Sequence, residues 1–270
     1  MSNYLLPLSV IQVSGEDATT FLQGQLTQDM ASLDHQWKYA AQCNPQGKVV
    51  AFFISFKHAE NYYLISDHKS CDKTIAQLQK YIMRSKVALN KLEEQVYFTA
   101  IENDKAEYTV QSDSNNYTLT TESGELLVTA EEAKDDHSFS STNTWLQTNI
   151  KNGIPNLRGK ALEKFTPEAI NLDLLGAISF SKGCYTGQEI VARMHYLGKA
   201  KKRLFITKII GNIDAIKVGD NITDQEGKTI GHLVDFEQDG NALISIKVVV
   251  EPDFNRNKKT IQAINNELLL

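Results

Sequence analysis

Long hydrophobic runs are absent from this 270-residue sequence. No apolar run approaches the roughly 20 residues that a helix needs to cross a bilayer. The N-terminus, residues 1–7, lacks the basic and apolar regions of a secretory signal, and it lacks the arginine-rich character of a transit peptide. The sequence therefore predicts a cytoplasmic protein with no direct membrane contact.

Cysteine is scarce. The chain has three cysteines, Cys43, Cys71 and Cys184, and no Cys-x-x-Cys pair. Such an odd and sparse set is typical of reduced thiols in a reducing compartment. Because the three cysteines lie far apart in the sequence, we predict no zinc or iron–sulfur site built by this chain alone.

An excess of positive charge is also absent, since the formal net charge is −5. This excludes a broadly basic nucleic-acid-binding surface, so direct contact with RNA is not indicated and would need a local patch or a partner protein. One short basic cluster consists of Lys199, Lys201, Lys202 and Arg203. It could hold an anion, such as the glutamate tail of a folate or an RNA phosphate, but a solvated linker between domains is the more frequent case.

The remaining composition is that of a globular protein, with 41% hydrophobic and 23% charged residues. Up to about residue 198 helical and strand-like patterns are mixed, including a hairpin with its turn at 44–47 and a helix predicted over 166–176. After that point only strand-like segments follow, at 204–210, 221–224, 229–236 and 241–250. We therefore predict an α+β region over residues 1–198 and a small β-barrel domain over residues 199–270.

The segment over residues 181–195 carries the chemistry. Thr186 and Glu189 have the spacing of a capping box, which places Cys184 just before the N-terminus of a predicted helix. The partial positive charge of that terminus and the nearby Lys182 ammonium would both favour the thiolate. Cys184 is thus a candidate reactive thiol and Lys182 its stabiliser, although an isolated cysteine is more often inert and buried.

The other cysteines and the nearest histidine are interpreted differently. Cys43, beside the hairpin turn, and Cys71, on the apolar stripe of a predicted helix, are interpreted as structural. The predicted helix separates His195 from Cys184, so a Cys–His catalytic pair is not favoured. We interpret His195 as a surface residue.

The run over residues 182–189, Lys-Gly-Cys-Tyr-Thr-Gly-Gln-Glu, closely resembles the signature of the YgfZ family. Agreement continues through Arg193. Further motifs that resemble the family follow in the expected order at 15–29, 46–48, 84–87 and 153–155. The resemblance covers most of residues 8–203.

This resemblance implies a fold like that of the glycine-cleavage T-protein, with intertwined, ferredoxin-like α+β domains around a central pocket and a small C-terminal β-barrel. It implies that the pocket binds tetrahydrofolate or a folate derivative, with the indole of Trp145 stacked on the pterin ring. Ordinary core packing is the alternative role for Trp145. We assign Tyr185, Gln188, Glu189 and Arg193 to the same folate site, and no residue to a metal.

One departure separates the sequence from the T-protein. The T-protein carries adjacent acidic residues, one of them catalytic, in the strand after its glycine turn, whereas the corresponding positions here are Ala51 and Phe52. Neither side chain accepts a proton or stabilises a cationic amine. We therefore predict that aminomethyl transfer to tetrahydrofolate is absent, which favours a protein that is not an enzyme.

Three functions compete. The first is a folate-binding helper that supports assembly or repair of iron–sulfur clusters, and thereby tRNA methylthiolation by radical enzymes, with Cys184 supplying a thiol beside the folate pocket. Its partners would be iron–sulfur enzymes or assembly proteins. The second is a folate-dependent one-carbon transferase. The third is a protein-interaction module with a vestigial folate pocket.

Overall fold

The computed structural model describes residues 5–101, 108–113, 116–131, 140–197, 201–224 and 226–247, together with the backbone of 259–264 and 267–269. These residues form α-helices and three β-sheets. The mixed α+β class predicted from the sequence is confirmed. The division into domains at residue 198 stays a prediction.

The first sheet is built from strands of the N-terminal third of the chain. These strands are β1 (Leu8–Ser14), β2 (Trp37–Cys43), β3 (Val49–His58), β4 (Asn61–Asp67) and β5 (Ala88–Lys91). Their order is β2-β3-β4-β1-β5, and all neighbours are antiparallel. Successive side chains of a strand point to opposite faces, so Phe53 lies in one buried cluster, whereas Ile54 and Phe56 lie in another.

Two helices cover the face of this sheet that carries Phe53. They are α1 (Ala18–Gln25) and α2 (His68–Gln79). Leu22 of α1 and Cys71 of α2 are buried in the same cluster as Phe53. Asp67 caps α2, because its carboxylate accepts a hydrogen bond of 3.0 Å from the backbone N–H of Ser70. The opposite face of the sheet is thus left for the central core.

A second, four-stranded sheet and a third helix complete that core. The strands are β6 (Gln95–Thr99), β7 (Val110–Asp113), β8 (Asn116–Thr121) and β9 (Gly124–Thr129), paired in the antiparallel order β6-β9-β8-β7. The helix is α3 (Thr142–Lys151), which Ser141 caps by accepting a hydrogen bond from the Thr144 N–H. Trp145 and Ile150 of α3 pack with Phe98 of β6 in the central core.

The third sheet contains the C-terminal strands. They are β10 (Lys202–Gly211), β11 (Asn221–Thr223), β12 (Thr229–Phe236), β13 (Asn241–Lys247), β14 (Lys259–Ile264) and β15 (Glu267–Leu269). Pairing runs β10-β13-β12-β11-β15-β14 and closes through a parallel contact between β14 and β10. The sequence pattern located the first four strands. It missed β14 and β15, which pair with the distant β10 and β11. Residues 248–250, assigned to the fourth strand, lie outside the described residues.

One buried ion pair joins the third sheet to the segment that follows α3. Asp235 of β12 is fully buried, and its Oδ1 lies 2.8 Å from the Arg158 guanidinium. Its Oδ2 accepts hydrogen bonds from the backbone N–H and the side-chain amide of Asn156. Because the Asp235 carboxylate is fully buried and these groups are its partners, the pairing fixes segment 156–158 against β12.

The helix predicted over 166–176 is wrong. The chain forms only a short 3-10 helix, Pro167–Ile170, and Asn171 then adopts a left-handed conformation with φ of 58°. The Asn171 side chain explains the break, because its amide donates to the Leu204 carbonyl at 2.9 Å and its oxygen accepts from the Leu204 N–H at 3.2 Å. The Asn171 side chain thus makes a long-range contact with β10 at the point where the predicted helix would have continued.

The helix predicted after Cys184 is confirmed as α4 (Gln188–Leu197). Within the described ranges, no helix is both long enough and apolar enough to span a membrane.

Candidate functional site

A central cavity lies between the first sheet, α3 and the segment after α3. Its walls include Tyr39 and Phe52 from the first sheet and Trp145 and Asn149 from α3. Trp145 is 5% exposed, and its ring meets the edge of Phe98 with 4.9 Å between ring centroids. The indole therefore both packs in the core and lines the cavity.

Two buried polar atoms in the cavity wall lack partners. Among the residues that the structure describes, the Asn149 Nδ2 has no hydrogen-bond acceptor, and the Ser66 hydroxyl has no hydrogen-bond partner. The Asn149 Oδ1, by contrast, accepts a hydrogen bond from Ser123. An unpaired buried group costs about 1–3 kcal/mol, so these two atoms point to a polar ligand or to ordered water in the cavity.

The cavity is narrow, with a volume of about 60 Å³. That is room for ordered water, but it is far below the roughly 300 Å³ at which ligand pockets begin. A folate would fit the chemistry of the lining, and it would require the side chains around Trp145 to move apart.

The two positions that correspond to the T-protein acids face opposite sides of β3. Ala51 is buried under the helices with Phe53. Phe52 lines the cavity, where its ring stacks on Tyr39 with 5.2 Å between centroids and 23° between planes. The carboxylate among the described residues of the cavity wall belongs to Asp67, which is engaged in capping α2.

The 182–189 loop lies against the hairpin turn between β2 and β3. Gly187 has a φ of 83°, and a Cβ there would lie 2.5 Å from the Asn44 carbonyl oxygen. Gly47, with a φ of 68°, would clash in the same way with Ile190 of α4. Both glycines are therefore required for the close approach of the two loops.

Lys182 fixes the start of this loop to the end of α1. Its ammonium donates hydrogen bonds to the carbonyls of Gln23, Leu26 and Gln28 at 2.8, 2.7 and 2.9 Å. Burial lowers the pKa of Lys182 to about 8, whereas the three carbonyls favour the charged form. All three N–H donors are engaged, so a hydrogen bond to a Cys184 thiolate would require one of them to be released. The role of Lys182 as thiolate stabiliser stays a prediction.

Cys184 is exposed, whereas Cys43 and Cys71 are buried. The interpretation of the latter two as buried structural residues is confirmed. Cys184 is not among the residues that line the cavity with Trp145, so the structure does not bring the thiol and the indole together.

The other residues assigned to the folate site lie outside the Trp145 cavity as well. Tyr185 is buried below the Lys182 ammonium, which lies 5.2 Å from the centroid of its ring. The Gln188 side chain accepts a hydrogen bond of 3.3 Å from the Tyr185 N–H. Glu189 is exposed, and Arg193 lines a different cavity. Their assignment to folate stays a prediction.

A buried carboxyl group lies beneath the 182–189 loop. Glu168 is 2% exposed, and neither of its carboxyl oxygens has a well-formed hydrogen bond to a described residue. Burial raises its pKa to about 7. Burial and the nearby Glu168 together raise the pKa of Cys43 to about 12, and burial, Cys43 and Glu168 raise that of Tyr185. Below pH 7 all three groups are predominantly uncharged, and Glu168 is the first of them to ionise as the pH rises.

His195 lies at the surface as expected, whereas the basic cluster predicted over residues 199–203 does not act as one group. The exposed His195 ring stacks on Phe180 with 3.6 Å between centroids, which confirms its surface role. Arg203 is not available to a ligand, because its guanidinium contacts both oxygens of Asp173 at 2.7 and 2.8 Å. Lys201 and Lys202 line the cavity that also contains Arg193. Lys199 lies outside the described residues.

Sequence reasoning missed Asn149, Ser66 and Glu168. Asn149 lies four residues after Trp145, so helical spacing places both on one face, and that signal could have identified it. Ser66 and Glu168 carry no local signal, since only the folded packing leaves their polar atoms buried. Among the described residues no group of three or more His, Cys, Asp or Glu side chains is arranged to hold a metal ion.

Comparison with known proteins identifies the family. No profile of a protein family matches the chain. It is 31% identical to the tRNA-modifying protein YgfZ of Aliivibrio fischeri, over 87% of this chain and 80% of that protein. The chain belongs to the YgfZ family. It is also 29% identical to the tRNA-modifying protein YgfZ of Enterobacter sp. strain 638, over 92% of this chain and 87% of the relative.

A solved structure shows the same fold. The glycine cleavage system aminomethyltransferase T from Bartonella henselae superposes with a TM-score of 0.67, over 90% of this chain and 77% of that protein. The two sequences are 17% identical, so this likeness concerns the fold alone. The T-protein-like fold expected from the sequence is confirmed.

We predict that the three cysteines differ in reactivity with a thiol reagent such as iodoacetamide. Cys184 reacts in the native protein because it is exposed, whereas Cys43 and Cys71 react only after opening of the core. Mass spectrometry of the alkylated protein counts the modified thiols over time. The Cys184→Ser variant should lose the fast phase. Equal rates for all three cysteines would contradict the prediction.

We predict that Glu168→Gln stabilises the protein at high pH. The folded-state pKa of about 7 exceeds the ordinary 4.5, so between these values the folded state holds a proton that the unfolded state has released. Unfolding free energy of the native sequence should therefore fall as pH rises through this window. Between pH 4.5 and 7, the free energy of unfolding of Glu168→Gln should rise by about 3 kcal/mol relative to that of the native sequence, at 1.36 kcal/mol per pKa unit.

Urea denaturation at both ends of the window measures this gain. Exposed Glu189, changed to Gln, is the matched control and should show no comparable pH dependence. If the free energies of unfolding of Glu168→Gln and of the native sequence differ by the same amount at both pH values, the buried carboxyl does not titrate in this window.

Proposed function

We propose that the protein binds a reduced folate in the cavity lined by Trp145 and supports iron–sulfur enzymes that modify tRNA. Membership of a family whose relatives are named tRNA-modifying proteins supports the link to tRNA modification. The T-protein-like fold supports the folate ligand. The cytoplasmic location and the partner enzymes stay predictions from the sequence.

The observation that carries the folate proposal is an aromatic cavity with unpaired polar atoms. Trp145, Tyr39 and Phe52 supply flat apolar surfaces, on which a pterin ring can stack. The free amide hydrogens of Asn149 and the free hydroxyl of Ser66 supply a donor and a donor-acceptor group in the same walls. A pterin has a flat face and a polar edge, so this lining matches both of its surfaces.

Binding requires the cavity to enlarge from its volume of about 60 Å³. The observed affinity for folate is then lower than the affinity of the open form, because the open form is a minor state of the free protein. Trp145 must change its surroundings in this step, so its fluorescence should report binding directly.

We place the thiol function at the protein surface and not in the folate cavity. Cys184 is exposed, and the loop that carries it is fixed to α1 by Lys182. An exposed sulfur on a fixed loop can reach a cysteine or a cluster on a partner protein. The folate and the thiol would then act at separate points of one molecule.

The transferase alternative has weaker support. Phe52 occupies the cavity wall at the position that corresponds to a T-protein acid, and Asp67 is engaged in capping α2. A reaction that transfers an aminomethyl group needs a group that accepts a proton or stabilises the amine. Turnover of an aminomethyl donor in the presence of tetrahydrofolate would revive this alternative.

We predict that a reduced folate, such as 5-formyltetrahydrofolate, quenches the fluorescence of Trp145. The protein has two tryptophans, and Trp37 is anchored by a hydrogen bond of 2.7 Å from its indole N–H to the Thr120 carbonyl. Trp145→Phe should abolish the saturable quenching, because Phe keeps apolar packing without the indole. Trp37→Phe, the matched control, should retain it.

Asn149→Leu tests the polar part of the same site. It removes the unpaired amide and should weaken folate binding by about tenfold, the equivalent of 1.4 kcal/mol. Saturable quenching that persists in Trp145→Phe, or no quenching in any form, would count against the site and would favour an interaction module with a vestigial pocket.

We predict that Cys184→Ala reduces tRNA methylthiolation in a strain that lacks the native gene. The exposed thiol is lost while the core is untouched, so the fold and folate quenching should persist. Gly183→Ala is the matched control, because a Cβ at this neighbouring position meets no atom within 4 Å. Methylthiolated nucleosides are measured by mass spectrometry of digested tRNA. Full restoration by Cys184→Ala would exclude a role for the thiol.

A further inference from the structure

A second, larger cavity lies on a different part of the molecule. It has a volume of about 680 Å³, and its walls come from the residue before β3, segment 164–169, α4, the beginning of β10 with the residue before it, and β12. Five cationic side chains line it: Lys48, Lys164, Arg193, Lys201 and Lys202. We call it the basic cavity. It shares no lining residue with the Trp145 cavity.

The positive charges in the basic cavity are not neutralised within it. None of its described lining residues is acidic, although the overall charge of the chain is −5. Lys48, Lys164 and Lys202 are partly buried. Five cations around one concave space repel one another, and low-dielectric walls strengthen that field.

The titration behaviour of the inner residues agrees with this geometry. Burial and the neighbouring cations lower the pKa of both Lys48 and Lys164, although Asp220 acts in the opposite direction on Lys164. Burial, Lys164, Lys202 and Lys48 lower the pKa of His232 to about 4. The imidazole is therefore neutral at physiological pH, and its buried Nδ1 has no hydrogen-bond partner among the described residues.

One part of the wall is apolar. Phe165, Ile190 and Met194 line the basic cavity together with His232. The Phe165 and His232 rings meet at an angle of 63° with 6.1 Å between centroids. A ligand for this site thus needs a strongly negative part for the cations and a flat or apolar part for this wall.

We propose that the basic cavity binds a nucleotide with two or three phosphate groups. Lysine binds phosphate as a point charge, and the guanidinium of Arg193 can form two parallel hydrogen bonds with phosphate oxygens. The base and ribose would lie on the wall formed by Phe165, Ile190 and Met194. The volume falls within the range of about 300–1,000 Å³ for small-molecule pockets.

A small nucleotide fits the cavity better than an RNA strand does. Lys48 and Lys164 are set back in the concave wall, partly buried, where a continuous phosphate backbone on the surface would not reach them. The glutamate tail of a folate in the Trp145 cavity is a poorer match, because one glutamate offers two charges to five cations.

Isothermal titration calorimetry of the full chain with adenosine triphosphate and adenosine diphosphate tests the proposal. We expect saturable binding that weakens as salt is added, because screening reduces the attraction between charges. The Lys48→Met/Lys202→Met double variant should weaken binding by about tenfold or more. Lys217→Met, an exposed lysine outside the cavity, is the matched control and should leave the affinity unchanged.

Two further measurements separate binding from folding and from the folate site. Thermal unfolding without ligand should not be impaired in the double variant, because repulsion is removed. Lys202→Met alone is the second variant if the double one fails to fold. Trp145→Phe should bind adenosine triphosphate normally.

The proposal is overturned if neither nucleotide binds saturably, or if Lys217→Met loses as much affinity as the double variant. It is also overturned if inorganic triphosphate binds as tightly as adenosine triphosphate, or if a single-stranded RNA oligonucleotide binds and the nucleotides do not. Failure of folate quenching with intact nucleotide binding would reject the folate site only.

Discussion

The hydrogen bonds from the Lys182 ammonium to the carbonyls of Gln23, Leu26 and Gln28, at the end of α1 and just after it, are the constraint on which the position of the 182–189 segment depends. The last carbonyls of a helix have no partner within it, and a partly buried cation is a suitable donor to them. The same lysine lies over the ring of Tyr185. One side chain therefore joins α1 and the segment after it to the loop that precedes α4.

This fixed loop explains how the protein separates its chemical functions. Gly187 lies against the hairpin turn, and Cys184 is turned outward to solvent. The Trp145 cavity is lined by Phe52 and Ile54 of β3, and the basic cavity is lined by α4 around Arg193. A thiol, an aromatic cavity and a cationic cavity thus occupy different places on one framework, so each can be altered without the others.

Unpaired buried polar atoms mark all three regions. Asn149 and Ser66 line the Trp145 cavity, His232 lines the basic cavity, and Glu168 lies under the thiol loop. Leaving such groups without partners destabilises the folded protein. Among the described residues, Gln25, Gln42, Glu122 and Thr207 also have unpaired buried oxygens but line neither cavity. An unpaired atom therefore supports a candidate site only together with a cavity or a neighbouring reactive group.

Local sequence patterns determined the fold class, the hairpin, α2, α4 and the four strands β10 to β13, because these elements depend on hydrophobic periodicity and turn residues close in the chain. The 182–189 motif indicated the family. Only the tertiary structure decided that Asn171 ends its helix through Leu204, that Lys182 serves the end of α1, and that Cys184 and Trp145 lie apart. The two contacts and the separation all concern residues distant in the sequence, and local periodicity contains no information about such pairs.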